Sequence, residues 1–149
     1  MQIIIKKKID EIAKKDWKLL EEKNNYLIFQ TLAWHLTWID VNDKNKDILI
    51  VIVYENEKPV IIFPFCIVKN FNIKILKWIG YDISDYLGPI ADSEYIVEKQ
   101  YFKKIWSSII QLIKKNCDLL TFIDTNKEVE SLNVANAASI VFYKLTESF

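Results

Sequence analysis

Residues 48–54 read Ile48-Leu49-Ile50-Val51-Ile52-Val53-Tyr54, followed by Glu55-Asn56-Glu57-Lys58 and then by Pro59-Val60-Ile61-Ile62-Phe63-Pro64-Phe65-Cys66-Ile67-Val68. An unbroken apolar, β-branched run of this length predicts a strand buried on both faces. The polar tetrapeptide predicts a hairpin turn, so residues 59–68 return antiparallel to the first run. Pro64 has no N–H to give to a ladder, so a bulge or an edge is expected there. Asn70-Phe71-Asn72 then turns the chain into residues 73–79. Three strands joined by short turns make a meander, and a sheet buried on both faces needs helices packed on it.

Helical patterns flank this meander on both sides. After a first strand at residues 2–7, Ile9, Ile12, Ala13, Trp17 and Leu20 recur at helical spacing, and Asn24-Asn25 ends that helix. Residues 26–29 form a short extended piece. Thr31 caps a second helix, whose Trp34 and Trp38 stand at i, i+4 on one face. Residues 42–47 are a polar turn, and residues 80–92 a long irregular loop of the kind that more often holds function. Phe102, Ile105, Trp106, Ile109, Ile110 and Ile113 form the stripe of a third helix, closed by Lys114-Lys115-Asn116. A strand at 119–124, a short helix at 129–132 and a last strand at 139–145 complete the order β-α-α-β-β-β-α-β-(α)-β. This predicts an α+β (mixed α/β) fold in one domain over residues 1–149, with a central, largely antiparallel sheet flanked by helices.

Composition limits the function classes. Lys+Arg and Asp+Glu are both 20, which argues against a dedicated nucleic-acid binder. Every basic residue is Lys, so an anion must be met by point charges or backbone N–H groups rather than by a guanidinium fork. No apolar run has the length of a membrane span, and the charges of residues 6–8 follow the first apolar run, so no signal peptide is expected. Cys66 and Cys117 are the two cysteines, each in an apolar setting, which predicts buried free thiols and a cytoplasmic location. His35 is the one histidine, so no metal site is expected and a Ser-His-Asp triad is improbable. The lysine clusters at 6–8, 14–15 and 103–104 have acids nearby and predict solvated faces.

Three groups of residues carry a family likeness: Phe29, Trp34 and Trp38 after the first helix; Pro64 within the third strand; and Gly80, Ser84, Asp85 and Tyr86 after the fourth. In this order the chain resembles the amino-terminal domain of GNAT-superfamily acyltransferases of the cellulose or exopolysaccharide-biosynthesis type, which are related to Fem-type transferases. The resemblance spans nearly the whole chain and implies a GNAT-like fold. It also implies an N-acyltransferase (acetyltransferase) domain acting on a polysaccharide or cell-envelope precursor, with acetyl-CoA or another acyl-CoA as donor. In that family the acyl-CoA-binding half comes second, and here it is expected on a separate chain or lost by truncation. The GNAT pyrophosphate loop, Gln/Arg-x-x-Gly-x-Gly/Ala, is replaced by Gly80-Tyr81-Asp82-Ile83-Ser84-Asp85. One glycine gives no run of exposed N–H groups, and two carboxylates repel a pyrophosphate, so this chain alone is not expected to bind the donor.

The site residues each admit two readings. Trp34 and Trp38 either wall a substrate site or pack the helix on the sheet. His35 is either a general base or a partly exposed structural residue. Asp85 and Tyr86 are the catalytic candidates, as base and acid on a hydroxyl or amine acceptor, with Ser84 beside them. Alternatively, Ser84 or Asp85 caps a turn and Tyr86 plugs the core. Asp82 adds a carboxylate nearby. Two functions follow from these readings. One is the acceptor-side half of an acyltransferase taking a small-molecule or glycan acceptor. The other is a non-catalytic GNAT-like module that docks on a second half or forms a homo-oligomer.

Overall fold

The structure, a computed structural model, describes residues 1–23, 26–42, 46–70, 73–92, 94–95 and 99–114. In chain order these form β1 (Gln2–Lys6), α1 (Glu11–Lys23), a 3-10 turn (Ile28–Gln30), α2 (Leu32–Asn42), β2 (Lys46–Glu55), β3 (Lys58–Asn70), β4 (Ile73–Trp78), β5 (Ile90–Ala91) and α3 (Lys99–Lys114). The five strands form one sheet in the order β1-β2-β3-β4, with β5 also on β3, and every pairing is antiparallel. The expected α+β class with a largely antiparallel sheet is therefore observed. The end of the first helix at Asn24-Asn25, the turn at Phe71-Asn72, the elements expected after residue 115 and Cys117 lie outside the described residues.

The central strands are buried on both faces, as their unbroken apolar runs require. Ile48, Ile50, Ile52, Ile62 and Cys66 pack on one face with Ala13, Trp17 and Leu20 of α1 and Leu32 and Trp38 of α2. Leu49, Val51, Val53, Phe63, Phe65 and Ile67 pack on the other with Ile105, Ile109 and Ile113 of α3. The Cys66 thiol is buried and donates to the Trp78 carbonyl at 3.7 Å. Each fully buried aliphatic side chain contributes about 1.5–3 kcal/mol. Among the described residues no helix is long and apolar enough to cross a membrane.

Local chemistry explains the turns. Asn56 and Glu57 both have positive φ, +47° and +65°, the mark of a type I′ hairpin, and Glu55 faces Lys58 across it. The bulge of this sheet lies at Val53/Tyr54, not at Pro64, which stays in register opposite Ile50. Pro64 instead marks a local edge. Its carbonyl accepts the Ile79 N–H at 2.9 Å, so its ring nitrogen faces the same flank. There β3 changes partner, from β4 at residues 65–70 to β5 at Ile61 and Ile62. The missing donor falls where no strand asks for it.

Three expectations need correction. Ile12 is 60% exposed; the buried stripe of α1 is Ala13, Asp16, Trp17 and Leu20. Asp16 takes the place of an apolar residue because the Tyr54 hydroxyl donates to its Oδ2. Of the piece expected to be extended at 26–29, Leu27 is extended, but Ile28–Gln30 turn into the 3-10 helix. The long loop after β4 is interrupted by β5, which Tyr26 fastens by donating its hydroxyl to the Ala91 carbonyl at 2.5 Å.

Candidate functional site

Thr31 starts α2 as its hydroxyl chemistry demands: the Trp34 N–H donates to Thr31 Oγ1 at 3.3 Å. The Leu32 N–H donates to the Glu21 carboxylate, which fastens α2 to α1. From this start α2 presents Trp34 and Trp38 to the segment that follows β4. The Trp38 indole N–H donates to Asp82 Oδ1 at 2.9 Å, and its ring meets Tyr81 edge-on at 6.1 Å. Lys77 Nζ lies 4.0 Å from the centre of the Tyr81 ring. Trp38 is buried and structural, and Asp82 serves it.

Trp34 is different. Phe29 meets its ring edge-on at 5.2 Å. Its Nε1 is buried without a hydrogen-bond partner, and so is Ser84 Oγ. Both atoms border Gly80. A Cβ built there would stand 2.3 Å from Ser84 Oγ and 3.4 Å from Trp34 Nε1. Gly80 has φ +86°, a conformation that glycine adopts freely and other residues resist. Glycine thus serves two ends, a left-handed turn and the close approach of a hydroxyl and an indole.

The backbone of this turn is already committed. The Tyr81 N–H donates to Trp78 O, and the Ile83 and Ser84 N–H groups both donate to Gly80 O. No row of free amides points outward, and Asp82 and Asp85 add negative charge. The residues here do not fit an acyl-CoA pyrophosphate. Asp85 and Tyr86 stand next in the loop and are both exposed, Tyr86 by 49%, with Ile83 and Leu87 exposed beside them. Tyr86 therefore does not plug the core.

His35 lies apart from this loop, and the partly exposed residue expected from the sequence is in fact buried, 3% exposed. The Trp17 ring covers it at a centroid distance of 4.6 Å. Its Nδ1–H donates to the Thr31 carbonyl at 2.8 Å, since a carbonyl can only accept. Loss of water lowers its pKa from 6.5 to about 4, against a smaller upward pull from the Thr31 bond. The ring is neutral at physiological pH.

The far end of the loop is anchored. Lys23 pairs with Asp92 at 2.9 Å, and the Asp92 N–H donates to Val60 O at 2.9 Å. The Lys23 hydrogen bond holds the Asp92 carboxyl below its usual range and raises the lysine. The structure thus brings Trp34, Trp38, Asp82 and Ser84 together, puts Asp85 and Tyr86 on the exposed part of the same loop, and keeps His35 elsewhere. Sequence reasoning missed the Asp16–Tyr54 pair, for which no local pattern exists. No protein-family model, curated protein or solved structure matches this chain.

Proposed function

We propose that this chain is the acceptor-side domain of a GNAT-like N-acyltransferase that modifies a polysaccharide or cell-envelope precursor, with the acyl-CoA held by a second half. One observation carries the reading: Trp34 Nε1 and Ser84 Oγ are two buried donors flanking Gly80 with no acceptor among the described residues. Buried polar atoms nearly always have partners, and each one left unmade costs about 1–3 kcal/mol. An indole N–H can only donate, so the missing partner is an acceptor oxygen. A hydroxyl or carbonyl of the substrate supplies it once the exposed tip of the loop lifts from α2. Asp85, exposed one residue further on, then takes a proton from the acceptor hydroxyl or amine, and Tyr86 stands beside it. The motif order after the first helix and the committed amides of Tyr81, Ile83 and Ser84 support the same division of labour.

The test is a thermal melt of the full chain against amino sugars and simple polyols, followed by transfer assays with the acyl-CoA half. A ligand that raises the midpoint of the wild type should lose its effect in Trp34→Phe and Ser84→Ala, and Asp85→Ala should abolish transfer. A rise retained in both variants removes the pair from the site, and unchanged turnover removes Asp85.

A second reading, a non-catalytic interaction module, is favoured by Ile73 and Ile75. They stand two apart on β4, 45% and 37% exposed, as one apolar ridge. It requires self-association, and a clean monomer at high concentration by sedimentation would count against it.

A further inference from the structure

The loop after β4 is tied at both ends and loose between them. Its near end is held to α2 by the Trp38 indole N–H, which donates to Asp82 Oδ1 at 2.9 Å. Its far end is fixed where Ile90 and Ala91 pair with Ile62 and Ile61, and where Lys23 holds Asp92. Between these ties Asp85, Tyr86 and Leu87 are exposed and make no hydrogen bond or ion pair among the described residues. A span with so few contacts is drawn from the low-stability end of a fold and opens without global unfolding.

What the loop covers is unfavourable to bury. Trp34 Nε1 and Ser84 Oγ are sealed from water beside Gly80, and neither has a partner. Opening hydrates both groups and recovers the desolvation penalty of each. The Asp82 carboxylate acts in the other direction: it is exposed, whereas the Trp38 ring that it bonds is buried, so its bond ties the loop to a fixed point on α2. One bond thus favours the closed loop, and two orphaned groups oppose it.

We propose that residues 80–87 form a gate on α2, latched by Asp82 on Trp38 and biased toward opening by Trp34 and Ser84. Asp82 is therefore a positioning residue. The pair of donors is exposed in a minor open state, and an acceptor oxygen that bonds them shifts the population toward it. The identity of what enters rests on the acceptor-side reading above, whereas the gate rests on the geometry alone. Melts against sugars and polyols test the first and proton exchange without any ligand tests the second, so each can fail separately.

The test is exchange of the indole N–H protons of the full chain in heavy water, followed by NMR. Trp17 is the internal reference, since its indole is fully buried on α1 and donates to the Gln30 carbonyl at 3.0 Å. The Trp34 indole proton should exchange about tenfold or more faster than that of Trp17 and should not respond to low urea, the mark of a local opening. Ser84→Ala removes one orphaned group from the closed state and should slow Trp34 exchange about tenfold. Asp82→Ala should speed exchange at both Trp34 and Trp38 about fivefold. Asp82→Asn keeps an accepting oxygen and should restore the wild-type rates. Trp34 exchange that tracks Trp17 through urea would overturn the gate. So would an unchanged Trp34 rate in Ser84→Ala, the result expected of a seam already filled by water, or unchanged rates in Asp82→Ala.

Discussion

Acid should destabilise this protein through His35 before it does so through Asp10 or Asp92. The imidazole is buried under Trp17 and titrates near 4 when folded, against 6.5 when free. A folded-state pKa below the unfolded one means that the unfolded chain binds the proton first, so stability rises with pH through this window. It is fully present above 6.5 and lost as pH falls toward 4. The difference of 6.5 and about 4, at about 1.4 kcal/mol per unit, is worth ~3 kcal/mol. Asp10 and Asp92 have pKa values below 3.8, so their contributions are lost only at lower pH and do not overlap. The assay is urea unfolding between about pH 7 and about pH 4.5, where the linear extrapolation gives the free energy at each step. Wild type should lose most of the ~3 kcal/mol over that range. His35→Gln, whatever its absolute stability, should show a nearly flat profile. An equal slope in the two proteins would refute the burial of a neutral imidazole.

Further substitutions probe the packing and the turns. Gly80→Ala combines a φ of +86° with a Cβ 2.3 Å from Ser84 Oγ and should cost about 1–3 kcal/mol in urea unfolding. Adding Ser84→Ala should return part of that loss. Ile109→Ala in the buried stripe of α3 should cost about 2–5 kcal/mol, whereas Ile12→Ala on the exposed side of α1 should stay within about 0.5 kcal/mol, measured by thermal or urea midpoint. Glu57→Gly relieves a φ of +65° in the hairpin and should stabilise by about 0.5–1 kcal/mol, seen as a raised midpoint.

The sheet was legible because its signals are local. The continuous run from Ile48 to Val53 can only be a two-sided strand, and the polar turn at Asn56-Glu57 joins it to its neighbour. Pro64 correctly marked an interruption, but only the partner strands could say that it is a change from β4 to β5 rather than a bulge. The helix patterns failed where a distant partner changes a residue's worth. Asp16 is buried where Tyr54, 38 positions away, donates to it, while Ile12, one turn earlier, lies just outside the buried stripe. His35 is buried because Trp17 of another helix covers it. In the candidate site, the Ser84 and Trp34 candidates meet at Gly80, but the sequence gives no sign that their polar atoms lack partners. Asp85 and Tyr86 depend on loop conformation alone, and short-range patterns carry no information on which side of a loop faces water.

The donor question is tested most directly by a thermal melt of the full chain with acetyl-CoA in large excess. The amides of Tyr81, Ile83 and Ser84 are spent inside the turn, so the midpoint should stay where it is, while an acceptor that engages Ser84 and Trp34 should raise it. A ligand at about a hundred times its Kd adds about 2.7 kcal/mol, a rise of several degrees for a chain of this size. A rise of that size with acetyl-CoA alone would contradict the assignment of this domain to the acceptor side.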